Sequence, residues 1–201
     1  MNIFPYGEKE VAYLKERDEK LGEAIDRIGM IERAVIPDLF TALVSTIVGQ
    51  QISNKAKDTV WNRLLERFPE LTPETVALAD PATIQQCGIT MRKAGYIKGV
   101  AEAILDGQLD LDLLPHLSDE EVIKELTSLK GLGRWSAEML LIFALQRPDI
   151  VSWNDLALRK GMMALYGLRE LDKARFEQYR RRYSPYGTVA SLYLWEIAAG
   201  R

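Results

Sequence analysis

Two glycines one residue apart, in Leu129-Lys130-Gly131-Leu132-Gly133-Arg134-Trp135-Ser136-Ala137, constrain this chain more than any other feature. They separate an amphipathic segment from an apolar helical run, which reads as a very tight helix-to-helix hairpin. Glycine lets the backbone at such a tip turn left-handed and lets a ligand come close. The tip presents backbone N–H groups at the start of the following helix, an array that binds an anion, most simply a phosphate. One helix and one loop further on stands a lone carboxylate, Asp155. An anion grip followed by an acid points to an enzyme that holds a nucleic-acid backbone and acts on something beside it.

The rest of the chain is helical in pattern, with no alternating strand signal and no Asn-Gly hairpin. Leu39, Leu43 and Ile47, with Phe40, Val44 and Val48 beside them, form a broad apolar stripe begun by Pro37-Asp38. Asp80-Pro81 reads as a cap and first helical position, with Gly88 as the stop. Ile97, Val100, Ala101 and Ile104 predict a helix halted by Gly107, and Ser118-Asp119-Glu120-Glu121 is a capping box leading into the hairpin. Asp172 can cap a helix over Lys173–Tyr183, which Pro185 stops before a last apolar helix from Thr188 to Ala198. About nine or ten helices with short connections predict an all-α fold.

Composition removes several chemistries. Cys87 is the one cysteine, so internal disulfides and a four-thiolate iron–sulfur or zinc site are excluded. His116, the one histidine, lies between Pro115 and Leu117 in a loop and is given no role. Carboxylates, lysines, hydroxyls or water must do the work. The start lacks a signal-like pattern and no apolar run approaches membrane-spanning length, so the expectation is a soluble, cytoplasmic protein without membrane contact.

A net charge of −3 looks wrong for a nucleic-acid binder, but it is unevenly spread. Residues 1–129 carry 14 Lys and Arg against 22 Asp and Glu, whereas residues 130–201 carry 12 against 7. The hairpin opens the basic part, as attraction to phosphates favours. A solvated helical surface would give the same charges.

Asp155 follows Ser152-Trp153-Asn154 and precedes an apolar helical stretch, Leu156–Leu165, so it sits near a helix N-terminus. The dipole and unpaired N–H groups there favour an ionised carboxylate. Asp is also a common helix cap, and the two roles are compatible.

Taken together, these segments resemble the helix-hairpin-helix DNA glycosylases (the HhH-GPD superfamily), in the branch of the 3-methyladenine DNA glycosylase II type. The resemblance runs from about Leu39 to Trp195. It rests on Ile47-Val48-Gly49-Gln50-Gln51-Ile52-Ser53, the hairpin, the position of Asp155 and the terminal aromatic helix. The loop before the acid departs from the family's Gly/Pro-rich pattern: Gln146–Asn154 has Pro148 and no glycine.

The resemblance implies a two-lobed fold with its active site in the cleft between lobes. One lobe would span about 36–143, and the other about 1–35 with 144–201, without the additional N-terminal α/β domain of larger relatives. It implies a monofunctional enzyme that flips an alkylated purine from duplex DNA and hydrolyses its N-glycosidic bond. Asp155 would stabilise the oxocarbenium-like sugar and orient water. Lyase members carry a Schiff-base lysine where this chain has Trp135, so no strand cleavage is expected. Rival readings are a bifunctional or mismatch-specific glycosylase and a non-catalytic DNA-binding module.

Further roles follow from the same resemblance. Trp135 and Trp195 match pocket aromatics that stack on a flipped cationic base, although core packing is the alternative for each. Trp153, Tyr183, Tyr186 and Tyr193 are weaker pocket candidates, and Phe40 fits the core better. Met91 occupies the wedge position that fills the gap left by the flipped base, with a buried helix start as the alternative. Gln50 matches a glutamine that reaches into DNA, or else it caps its helix, as do Gln51 and Ser53. Lys130, Gly131, Leu132, Gly133, Arg134, Arg92 and Lys93 would meet the DNA backbone, with plain surface charge as the alternative for Lys130 and Arg134. The carbonyls of Leu129 and Gly131 can hold a Na+ or K+ ion, and neither an organic cofactor nor a catalytic metal is required. The expected partner is damaged double-stranded DNA, bound by a monomer in the cytoplasm at the nucleoid.

Overall fold

A computed structural model describes residues 2–201; Met1 lies outside the described residues. Among them are twelve α-helices: α1 (Glu8–Arg17), α2 (Glu19–Ile28), α3 (Leu39–Gly49), α4 (Asn54–Arg67), α5 (Pro73–Leu78), α6 (Pro81–Gln85), α7 (Met91–Leu105), α8 (Asp119–Thr127), α9 (Arg134–Phe143), α10 (Leu156–Tyr166), α11 (Lys173–Tyr183) and α12 (Gly187–Ala198). One 3-10 turn (Leu114–His116) and one isolated antiparallel bridge between Ile3 and Ala34 complete the described elements. The all-α expectation holds, with more helices than the pattern suggested. Asp18 is the reason at the N-terminus: it ends α1 and caps α2 through a bond from Leu21 N–H, so two helices meet at one residue.

The capping signals act as read. Asp38 accepts from Thr41 N–H at the head of α3, Asp80 from Ala82 N–H, and Asp172 from Arg175 N–H. Ser118 and Glu121 form the capping box of α8. Each satisfies a helix-end donor that would otherwise lack a partner.

The chain forms two compact units, Ile36–Leu145 and the residues up to Val35 joined to Gln146–Arg201. In the first, the stripe on α3 is fully buried at Leu43, Val44, Ile47 and Val48, and α3 packs on α4, α7 and α9. Phe40, 2% exposed, is core, as its periodicity indicated. Each such aliphatic side chain contributes about 1.5–3 kcal/mol on burial. In the second unit, α12 is the central element, packed against α10, α2, α11 and α1. Gly161 of α10 lies so close to the Leu194 carbonyl of α12 that an added Cβ would fall 2.0 Å from that oxygen. Tyr183 and Tyr193 are completely buried in this unit's core.

Candidate active site

The hairpin between α8 and α9 is pinned from two sides within its unit. Gly131 adopts a left-handed φ of +91°, and a Cβ there would lie 2.3 Å from the ring of Tyr96 on α7. Only glycine meets both demands. On the other side Gln50, at the end of α3, donates its Nε2 to the Gly131 carbonyl (2.8 Å) and to Ser136 Oγ (3.1 Å). Leu132 is buried, which anchors the tip. Gly133 then starts α9 in extended conformation without a side-chain cap, and a Cβ added there would meet nothing within 4 Å. The hairpin is rigid behind and open at the helix start.

Three neighbouring residues have protein partners. Arg134 binds Glu120 with both terminal nitrogens and Glu138 through Nε (3.0 Å), so two carboxylates already face its charge. Lys93 donates Nζ to the carbonyls of Val48 (2.9 Å) and Gln50 (2.7 Å), closing the end of α3; partial burial and the neighbouring Arg92 push its pKa down. Gln50 directs its amide at the hairpin. Lys93 and Gln50 are thus fastened to residues remote in sequence, whereas Arg134 pairs with its i+4 neighbour Glu138 and with the exposed Glu120. Arg92 and Lys130, by contrast, line an open groove of about 530 Å³ along α7 with Met91, Gly95 and Tyr96. Met91, 53% exposed, is the first residue of α7 and is not buried.

The carbonyl proposed for a cation is likewise engaged. Gly131 oxygen accepts from Gln50, and Leu129 oxygen accepts from Leu132 N–H at 3.3 Å. Each carbonyl keeps one lone pair, so the pair supplies only part of what an alkali ion needs.

In the second unit, Asp155 is the N-cap of α10. Its Oδ1 accepts from Leu158 N–H (2.9 Å), and the residue is 8% exposed. The carboxylate therefore sits on the positive end of the α10 dipole. The cap that sequence offered as one of two compatible roles is present.

The glycine-free loop before Asp155 takes its course from α12. Gln146 turns with a φ of +54°, a conformation the family's glycines would supply more easily. Thr188 then donates to Arg147 oxygen (2.6 Å), and its Oγ1 accepts from Ile150 N–H (2.9 Å). Ser191 donates to Ile150 oxygen (2.8 Å). Asp149 accepts from Ser184 Oγ and from Gly187 N–H, where any Cβ would strike Asp149 Oδ1 at 2.5 Å. Beyond the loop, Trp153 sets its ring edge-on to Phe176 at 5.2 Å, with the Arg159 guanidinium 4.9 Å from its centroid. Trp135 is half-buried in the first turn of α9. Trp195 is half-buried against its unit's core, and Arg33, itself paired with Glu196, lies 5.9 Å from its centroid.

A Gly-Leu-Gly hairpin and a carboxylate on a helix N-terminus, in this order in an all-α chain, fit a DNA-repair class that comparison makes explicit. The chain belongs to the family described as HhH-GPD superfamily base excision DNA repair protein, whose model matches residues 44–185. Among relatives, it is 34% identical over 166 residues to DNA-3-methyladenine glycosylase 1 of Schizosaccharomyces pombe, covering 79% of this chain and 72% of that protein. Among solved structures, a DNA-3-methyladenine glycosidase from Bacillus halodurans superposes with a TM-score of 0.82 and 35% identity, covering 98% of this chain and 93% of the other. A 3-methyladenine DNA glycosylase of S. pombe in complex with abasic DNA gives a TM-score of 0.85 and 30% identity over 94% and 95% of the two chains. The resemblance stated from sequence is thus borne out for superfamily and branch.

Proposed function

We propose that this chain is a monofunctional DNA glycosylase that removes alkylated purines of the 3-methyladenine type from duplex DNA, the first step of base excision repair. The observation that carries the reading is the Asp155 carboxylate, nearly buried and held at the head of α10. The names of the relatives support the lesion class.

An N3-alkylated purine nucleotide carries a positive charge on its base. As the bond between the sugar C1′ and the base nitrogen breaks, its electron pair leaves with the base, which departs neutral. The positive charge passes to the sugar. Asp155 stabilises that charge and orients the water whose oxygen bonds C1′; the water's proton is released. A second carboxyl to protonate the leaving group, usual for O-glycosides, is unnecessary here. Trp135 stands at the position where lyase members carry lysine, so no Schiff base forms.

Around this step, Gly131, Leu132, Gly133, Lys130 and Arg92 take the DNA backbone. Met91 fills the gap left by the flipped base; its exposure supports that role. Trp135 and Trp195 are the pocket candidates. Gln50 braces the hairpin and Lys93 the end of α3 from the protein side, and Arg134, half-exposed beside the exposed Glu120, takes the DNA backbone with them. With DNA bound, a Na+ or K+ ion would share the remaining lone pairs of Leu129 and Gly131 with a phosphate and take no part in bond cleavage. No described helix is long and apolar enough to cross a membrane. A chain of this kind works as a monomer where the DNA lies, in the cytoplasm at the nucleoid.

The test is base release from a methylated duplex, followed by borohydride treatment. Free 3-methyladenine with an intact abasic strand is expected. A trapped covalent adduct or a nicked strand would replace the reading with a bifunctional enzyme. Release of no base from any alkylated duplex would leave only a DNA-binding module.

A further inference from the structure

A second basic feature lies outside the hairpin, wholly within the unit that carries Asp155. The last turns of α1 and α11 converge on a pocket of about 420 Å³ lined by Tyr13, Arg17, Arg181 and Arg182. Cations are common at helix C-termini, where they complement the dipole. That preference explains one cation at each helix end but not the gathering of three guanidinium groups around one concavity.

Each lining group is held in place. Tyr13 donates its hydroxyl to the Ser184 carbonyl (2.8 Å) and meets Tyr186 edge-on at 5.2 Å. Arg17 lies over the Tyr13 ring at 5.2 Å, and Arg181 donates Nε to the Glu177 carbonyl at 3.1 Å. Arg182 lies 4.9 Å from the Tyr179 centroid and reaches Asp18 Oδ2 at 3.1 Å.

Charge around the pocket is unbalanced. Asp18 is the carboxylate in reach, and it also accepts from Leu21 N–H and from the Tyr166 hydroxyl. It offsets Arg182. Among the described residues, no carboxylate lies within ion-pair distance of Arg17 or Arg181. Like charges held this close repel unless an anion joins them, and guanidinium groups match phosphate oxygens in two-pronged geometry.

We propose that Arg17, Arg181, Arg182 and Tyr13 form a second phosphate site, which takes a backbone phosphodiester of the DNA duplex away from the lesion. The proposal rests on the DNA-repair reading for its ligand, but not on the chemistry at Asp155. A phosphate there enlarges the DNA footprint and adds sequence-independent affinity. Arg182 is fixed by Asp18, whereas Arg17 and Arg181 supply the uncompensated charge.

The test is the salt dependence of binding to an undamaged 30-base-pair duplex, for the wild-type chain and for Arg17→Ala/Arg181→Ala. Each lost phosphate contact lowers the slope of log K against log salt by about 0.9, so the double variant, which loses this one site, should lose about 0.9. Between 50 and 200 mM salt the wild type should therefore lose about 3.5-fold more affinity than the variant. Arg17→Lys/Arg181→Lys keeps the charges and should keep the slope. The single-turnover rate of base release at saturating enzyme should be equal in all three proteins. An unchanged slope in the Ala variant, whose fold is verified by its melting temperature, overturns the proposal. So does a variant that loses inorganic pyrophosphate binding while its DNA slope stays at the wild-type value, which would assign the pocket to small phosphate compounds. Absence of base release in every protein, with the slope difference intact, would contradict the catalytic reading and leave this site standing.

Discussion

Two helix starts in this molecule solve the same electrostatic problem in opposite ways. At α9 the first position is Gly133, which has no side chain to cap the helix, and the space beside it is open. At α10 it is Asp155, whose own carboxylate occupies the capping position. A helix N-terminus attracts an anion in either case. The first leaves room for an external anion, a phosphate. The second brings its own carboxylate, held in a nearly buried place, which the proposed function sets against positive charge on a sugar. In the proposed function, grip and chemistry thus differ by one residue type at equivalent positions.

The two starts also differ in what supports them. The hairpin is braced by a glycine conformation, the Tyr96 ring and the Gln50 amide. The Asp155 loop is braced by hydroxyl and carboxylate bonds to α12. Breaking these braces separately should break the comparison. Gly131→Ala has the largest expected effect: it forces both a left-handed alanine and a clash with Tyr96, at about 2–5 kcal/mol. Urea unfolding checks it, and a wild-type midpoint would mean that the hairpin is not pinned as described.

Thr188→Val comes next. It leaves the Ile150 N–H and the Arg147 carbonyl without their partner, at about 1–3 kcal/mol. If the loop aims Asp155, the single-turnover rate of base release should fall too, by up to about 10²-fold, while binding of undamaged DNA is kept. Equal losses of binding and rate would show that the loop does not act on the acid alone. Gln50→Ala is the smallest: about 1 kcal/mol of stability, read as a shift in melting temperature. Its signature is the reverse, weaker binding to undamaged duplex with a near-normal rate at saturating enzyme.

Sequence made the first start legible and the second only half so. Gly131-Leu132-Gly133 announces its turn, and Asp38, Asp80, Ser118 and Asp172 announce their helices, because a cap is a local interaction between near neighbours. Asp155 could be placed at a helix start on the same grounds. What sequence did not disclose is what holds its loop: Thr188 and Ser191 lie about forty residues downstream and look like ordinary members of an apolar helix. The family resemblance carried Gln50, Lys93 and Arg134 towards DNA, since polar residues near a binding motif look alike whether they face outwards or fasten the motif from behind. Three of their partners, Gly131, Val48 and Glu120, are chosen by tertiary packing, while Glu138 is the i+4 neighbour of Arg134 on α9.

Base release by Asp155→Asn tests the central claim most directly. Asparagine caps a helix about as well as aspartate, so the α10 start and the melting temperature should barely change. The negative charge is lost, and the single-turnover rate on a duplex containing 3-methyladenine should fall by about 10²-fold or more. A folded Asp155→Asn protein that releases the base at the wild-type rate would reduce Asp155 to a helix cap and contradict the account.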